Sequence, residues 1–317
     1  MTMKMALALD VALIGEPNSG KSTFVVLLYA AQIRYSEFSA NKNNEFRFYI
    51  NPNDIEKISS EYNRMQMGNW PSEKLLHLHD TASGPISFVY GRTKESMADK
   101  FFSIFNKEQE LDTLSINLLI YDLSDPDLTE CINNEKMTYL NLRPKVESLL
   151  SSSIILMSID CSRLYNKSSA EPEEVKPDID YQMVTALGNI SRYKQRRIYP
   201  ILVFTKSDLI NKHYLADLSL PSRIPNVKNH KSRKIFSERL MSTRYPNTLA
   251  FLKNSRKIYY EAENSIFSSV STVRKKGGKL TPALKLTPDA GYVLDCSYAE
   301  FIYFIHCLEN ISKKISN

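Results

Sequence analysis

The chain has 317 residues, 43% of them hydrophobic and 24% charged, enough for one large domain or two ordinary ones. Nine Gly and fourteen Pro exclude a collagenous or Gly/Pro-rich low-complexity chain, and the apolar fraction excludes a wholly disordered one. The net charge is +6, but Arg223 to Lys279 holds fourteen Lys/Arg against three acidic residues, so the remainder is acidic overall.

Apolar runs alternate with amphipathic stretches. Asp10 to Ile14 predicts a buried strand, and Ser22 to Gln32 a helix that is apolar on most of its surface. Phe46 to Ile50 predicts a short strand, and Asp54 to Met67 a helix with Pro52 near its start. Ile86 to Tyr90 is strand-like, and Lys94 to Phe105 helical. Ser115 to Tyr121, Ile154 to Ile159 and Tyr199 to Phe204 predict buried strands, with a helix over Asp180 to Lys194 between the last two. Asn264 to Ser269 is a final strand candidate, and Tyr298 to Ile315 a long closing helix. Three stretches read as exposed loops: Glu171 to Lys176, Pro221 to Ser232 and Arg274 to Thr287. Continuous apolar strands between helices predict an α/β fold, a mostly parallel sheet covered on both faces.

No apolar run is long enough for a membrane helix. Four cysteines, Cys131, Cys161, Cys296 and Cys307, lie far apart with no Cys-x-x-Cys pair, which excludes a sequence-local zinc knuckle and a disulfide-dense scaffold. A motif that must survive intact begins at Gly15, which argues against a cleaved leader. The expectation is a reduced, cytoplasmic protein, with peripheral membrane association left open.

That motif is Gly15-Glu16-Pro17-Asn18-Ser19-Gly20-Lys21-Ser22, followed by Thr23. It matches G-x-x-x-x-G-K-[ST] between a strand and a helix. Glycines let successive backbone N–H groups face phosphate oxygens. Lys21 has the reach for the β- and γ-phosphates, the Ser22 hydroxyl suits Mg²⁺, and the helix presents its positive end to the anion.

Thr205-Lys206-Ser207-Asp208 follows the strand Tyr199 to Phe204. Downstream of a phosphate loop, this is the pattern that reads guanine. The Asp208 carboxylate can accept from N1–H and from the 2-amino group, donors that adenine lacks. The Lys206 stem can lie over the base. A second base contact is expected from a small-residue turn at Ser271-Thr272, with Ser268-Ser269 as the alternative. The expected ligands are therefore GTP or GDP with Mg²⁺.

A metal-binding carboxylate should end a buried strand. Asp122 fits, with Asp160 as the alternative. Asp122-Leu123-Ser124-Asp125 departs from D-x-x-G, and Pro126 follows where a water-orienting glutamine often stands. Both changes predict slow hydrolysis, or none. A switch threonine is expected ahead of the strand before Asp122. Thr81 is favoured over Ser83 and Thr93. His77 and His79 alternate with Leu78 but have no third ligand nearby, so they read as ordinary histidines.

Together these residues resemble the TRAFAC class of P-loop GTPases. The Gly-x-Pro-Asn-x-Gly-Lys-Ser loop is similar to that of Era- and Obg-like members. However, 101 positions separate Lys21 from Asp122, about twice the spacing in those compact domains. Glu61 to Pro71, ending Gly68-Asn69-Trp70-Pro71, looks like the helix and Gly-x-Trp-Pro of the prokaryotic double-GTPase family. That resemblance implies a single GTPase domain over 1–317, with an insertion at about 35–92, a basic insertion at about 211–260 and a closing helix at about 298–315. It implies a nucleotide-dependent switch whose state a protein partner reads. Lys74 stands near the place where that family has a threonine. The basic segment 223–279 adds an anionic partner to the expectations: RNA, lipid or an acidic protein. A non-hydrolysing GTP-binding scaffold, a nucleotide kinase or ATPase, and an Era-like RNA-associated GTPase are the rival readings.

Overall fold

The computed structural model describes residues 7–39, 46–50, 52–72, 86–93, 111–122, 144–164, 178–193, 197–270, 273–276, 278–287, 291–294 and 298–316. Strand β1 (Leu7–Gly15) lies at the centre, with the apolar run Val11 to Ile14 buried. It is followed by helix α1 (Lys21–Ser39), β2 (Phe46–Ile50), α2 (Pro52–Gln66), β3 (Ile86–Thr93) and β4 (Leu111–Asp122). Then come α3 (Pro144–Ser151), β5 (Ile154–Asp160), α4 (Ile179–Tyr193) and β6 (Tyr199–Thr205). Helices α5 (Lys212–Asp217), α6 (His230–Arg244) and α7 (Pro246–Asn254) precede the two-residue β7 (Ile266–Phe267). Helix α8 (Tyr298–Ser316) closes the chain.

These strands form one seven-stranded sheet in the order β2-β3-β4-β1-β5-β6-β7. Pairs from β4 through β7 are parallel, whereas β3 is antiparallel to both neighbours. The predicted mostly parallel sheet is therefore present, with β3 alone reversed.

Side chains alternate across each strand, so one apolar run feeds two cores. Val11, Leu13, Ile154 and Leu156 face α1, α2 and α8, where they meet Phe24, Ile58, Phe301 and Phe304. Ala12, Ile14, Ile155 and Met157 face α3, α4, α6 and α7, where they meet Leu149, Leu187, Phe236, Leu240 and Leu252. Helix α1 is apolar on most of its surface because sheet, α2 and α8 all cover it. Phe24 packs on Phe301 at 5.5 Å and Phe304 at 5.6 Å, and Tyr29 on Tyr62 at 5.6 Å.

The stretch after Asp208 is thus a structural layer as well as a basic surface. Two buried carboxylates tie it in. Asp180 of α4 accepts from the N–H groups of Asn247 and Thr248, both at 2.8 Å, and so caps the first turn of α7. Glu300 of α8 takes a fork from Arg233 of α6, at 2.9 and 2.7 Å, and a bond from the Phe267 N–H at 3.0 Å.

Several sequence expectations shift. The loop expected over Pro221 to Ser232 runs into α6 at His230. The loop expected over Arg274 to Thr287 holds short antiparallel strands. β8 (Val273–Lys276) pairs with β9 (Lys279–Pro282), and β10 (Leu284–Thr287) with β11 (Gly291–Leu294). Gly278 has φ +81°, so a glycine suits the turn after Lys276. The strand expected over Asn264 to Ser269 shrinks to Ile266–Phe267, because Ala262–Asn264 forms a 3-10 turn. The predicted helix at Lys94 to Phe105 and the loop at Glu171 to Lys176 lie outside the described residues. Among the described residues, no helix is long and apolar enough to cross a membrane. Cys161 and Cys307 are buried free thiols.

Candidate functional site

All parallel strands deliver their carboxyl ends to one edge. Gly15 lies opposite Asp122 on one side and Ser158 on the other, and Asp160 lies opposite Thr205. The loop between β1 and α1 crosses this edge. Asn18 and Gly20 there have φ of 60° and 87°. Asparagine tolerates the left-handed region and glycine enters it freely.

Packing and backbone conformation disfavour a side chain at both loop glycines. A Cβ on Gly15 would stand 2.8 Å from Ser158 Cβ and 2.9 Å from its carbonyl oxygen. On Gly20 it would stand 3.2 Å from Thr205 Cβ, on a backbone already left-handed. Below the loop, the Ser19 carbonyl accepts from Ser158 Oγ at 3.1 Å and from Thr205 Oγ1. The Lys21 ammonium donates to the carbonyls of Gly15 at 3.1 Å and Glu16 at 2.6 Å.

The segment after β6 interlocks with this loop. Lys206 adopts φ 52° and ψ 37°. That turns its side chain back, so that Nζ donates to the Asn18 carbonyl at 2.9 Å and to Asp160 Oδ2 at 2.6 Å. Asp160 is 1% exposed. Its other oxygen accepts from the N–H and hydroxyl of Ser162, at 2.9 and 2.6 Å. With both oxygens engaged, the alternative metal carboxylate of the sequence reading is a structural anchor instead. Desolvation pushes the Asp208 carboxyl above its ordinary value, against the pull of its own backbone N–H and of Lys206. The turn after β7 is tied in as well. Ser207 N–H donates to the Ser268 carbonyl at 3.2 Å, and Ser268 N–H to the Phe204 carbonyl at 2.8 Å.

These parts enclose a cavity of about 430 Å³. Asn18, Ser19, Gly20, Lys21, Ser22 and Thr23 line one part of it. Thr205, Lys206, Asp208, Ser268, Ser269 and Val270 line another, and Leu27, Trp70, Pro71, Ser72 and Val273 add to the wall. The sequence reading did not include Trp70, Pro71, Ser72 or Val270 in the site. Trp70 and Pro71 entered that reading only through the Gly-x-Trp-Pro motif, and Ser72 and Val270 carried no signal beyond their small or apolar character.

Gly15, Glu16 and Pro17 do not line the cavity. Glu16 is buried and turns away from it, accepting from Tyr245 at 2.7 Å and from Arg163, with Arg244 at 3.6 Å. Burial and the Glu16 carboxylate together hold the Tyr245 phenol protonated, well above its ordinary value. Thr93 is excluded as the switch threonine, because β3 runs antiparallel. Its register partner is Leu111, eleven residues before Asp122 and so about 36 Å along the strand. Thr81, Ser83, His77, His79, Ser271 and Thr272 lie outside the described residues. Asp122 is described by its backbone alone, at the carboxyl end of β4.

A phosphate-type loop joining the first strand to the first helix of a mostly parallel sheet makes this a P-loop NTPase fold. No protein-family model and no curated protein matches the chain. Fourteen solved chains are similar. One of them is a crystal structure of sup35 complexed with GDP, with a TM-score of 0.28 and 13% identity. That match covers 84% of this chain and 38% of the other, so this chain spans well under half its length.

Proposed function

We propose that this protein binds guanine nucleotide with Mg²⁺, hydrolyses GTP to GDP slowly, and acts as a nucleotide-dependent switch. One observation carries the reading. The phosphate loop from Asn18 to Ser22 and the carboxylate of Asp208 border the same cavity, although they are far apart in sequence. The residues fit the ligand. At the loop an ammonium and backbone donors suit a polyphosphate, and the left-handed backbone at Gly20, closed in by Thr205 at 3.2 Å from where a Cβ would stand, lets the loop turn. At the other part, Asp208 suits the N1–H and 2-amino donors of guanine, while the Lys206 stem suits its face. Ser268 and Ser269, the second choice of the sequence reading for the other base contact after Ser271-Thr272, line the cavity, and their turn would supply it through backbone N–H.

The Ser22 hydroxyl and Asp122 are the proposed ligands of Mg²⁺, with Thr81 the proposed switch threonine. The metal would neutralise developing charge on the phosphate oxygens. Lys21 would stabilise the same charge once an anion replaces the carbonyls that it now contacts. A protein partner would read the nucleotide state, and the basic stretch 223–279 would offer an anionic partner a surface.

A second reading, a GTP-binding scaffold without hydrolysis, is favoured by Asp125 and Pro126. A binding panel of GTP, GDP and ATP with and without Mg²⁺, followed by a single-turnover assay, tests both. Equal affinity for GTP and ATP would overturn guanine recognition. Phosphate release no faster than in buffer would leave the scaffold.

A further inference from the structure

Trp70 is the sole tryptophan of the chain. It is 39% exposed, yet it lines the cavity that also holds the phosphate loop and Asp208. Its backbone is fixed on both sides. Gly68, with φ +82°, ends α2 sharply, and its N–H bonds to the Met65 carbonyl at 3.0 Å. Arg64 Nε donates to the Trp70 carbonyl at 2.9 Å. Beyond Pro71, the Ser72 N–H donates to Glu61 Oε2 at 2.7 Å, and the Ser72 hydroxyl to the other oxygen of the same carboxylate. Helix α2 thus grips both ends of a short segment and holds an indole at the cavity wall. A partly exposed aromatic at a cavity wall gains when an apolar or flat ligand covers its open face.

We propose that Trp70 is a nucleotide-contact residue whose indole packs against the nucleoside part of the bound nucleotide. This rests on the guanine-nucleotide reading of the cavity. The chemistry selects the nucleoside over the phosphates. An indole face gains from a flat, weakly hydrated base and sugar, and gains little from a hydrated polyanion. Leu27, Val270 and Val273, which line the same cavity, are likewise apolar. Helix α2 then belongs to the binding site as well as to the core, because it sets the position of the indole.

The 317-residue chain should be titrated with GDP and Mg²⁺ by calorimetry and, in parallel, by tryptophan emission with acrylamide as quencher. The expected result is a saturable emission change with the calorimetric midpoint, and an indole shielded from acrylamide. Inorganic pyrophosphate at saturation should leave the acrylamide quenching unchanged. Trp70→Ala should weaken GDP binding roughly tenfold, in line with base–aromatic stacking, while Trp70→Phe should keep most of the affinity. Calorimetric binding of GDP by wild type with no change in emission or quenching would overturn the proposal. So would a folded Trp70→Ala variant that binds within twofold of wild type. Absence of heat with any guanine nucleotide would instead overturn the reading of the cavity itself, and this proposal with it.

Discussion

The Lys206 ammonium donates to the backbone carbonyl of Asn18 at 2.9 Å, across 188 positions of sequence. The same nitrogen reaches buried Asp160 at 2.6 Å. One side chain therefore couples the phosphate loop, the end of β5 and the segment that carries Asp208. Thr205, one residue earlier, repeats the coupling through the Ser19 carbonyl and by filling the space beside Gly20.

Removing the Lys206 ammonium separates its two roles. Lys206→Met keeps an apolar stem but leaves Asp160 without its closest cation. We expect a loss of about 1–3 kcal/mol in stability, read from urea unfolding, and weaker GDP binding by calorimetry. Lys206→Ala should bind GDP more weakly still, because it loses the stem as well. Equal affinity in the two variants would show that the stem contributes nothing.

Gly20→Ala should abolish nucleotide binding while the fold survives. The added methyl needs a left-handed backbone and meets Thr205 at 3.2 Å, so the loop must move. Strain of this kind costs about 1–3 kcal/mol, and the donor array loses its aim. Circular dichroism should stay native while calorimetry shows no heat of binding. A variant with native affinity would mean that the loop cradles nothing.

Asp208→Asn should lower GDP affinity by about a hundredfold or more, since an amide presents one acceptor and one donor to two base donors. Xanthosine diphosphate, which offers an acceptor in place of the 2-amino group, should bind the variant better than it binds wild type. Competition titration with both nucleotides measures the exchange.

The same carboxylate predicts a pH dependence. Desolvation raises the Asp208 carboxyl above its ordinary value, so it protonates earlier than a free side chain as pH falls. Guanine recognition needs the ionised form. Affinity for GDP should be level at neutral pH and fall about tenfold per unit once pH drops below the raised value. The direction follows from the protonated state, which has lost an acceptor. Asp208→Asn should lack this acid limb in the same calorimetric series.

Arg233 is 0% exposed and its partner Glu300 is buried beside it. The guanidinium also faces the rings of Phe267 at 5.1 Å and Tyr303 at 5.0 Å. Either Arg233→Ala or Glu300→Ala strands a buried charge and should cost about 3–5 kcal/mol. Replacing both, as Arg233→Met with Glu300→Leu, should recover most of that. Thermal unfolding of the three variants gives the comparison.

Much of the fold is legible in the residues. Apolar runs at Val11–Ile14, Ile154–Ile159 and Ile201–Phe204 are buried on both faces, and only a covered parallel sheet tolerates such runs. Helix α6 and the strands from Val273 to Thr287 were not legible. Lys231, Lys234 and Arg239 dominate the polar surface of α6 and mask the spacing of Phe236, Leu240 and Met241. The Gly277-Gly278 pair between Lys276 and Lys279 was an available turn signal, outweighed by the surrounding charge.

By itself the sequence determined the local chemistry: which loop can turn so that its N–H groups face an anion, which carboxylate can accept two donors, and which runs must be buried. These depend on residue type and near-neighbour spacing. Only the tertiary structure decided what meets across the chain. It turned Glu16 away from the cavity and onto Tyr245, tied up Asp160 with Lys206 and Ser162, sent Thr93 to the far end of β3, and brought Trp70 to the cavity wall. The physical reason is that strand order and direction fix which remote residues share an edge, and that information is not local to any stretch of sequence.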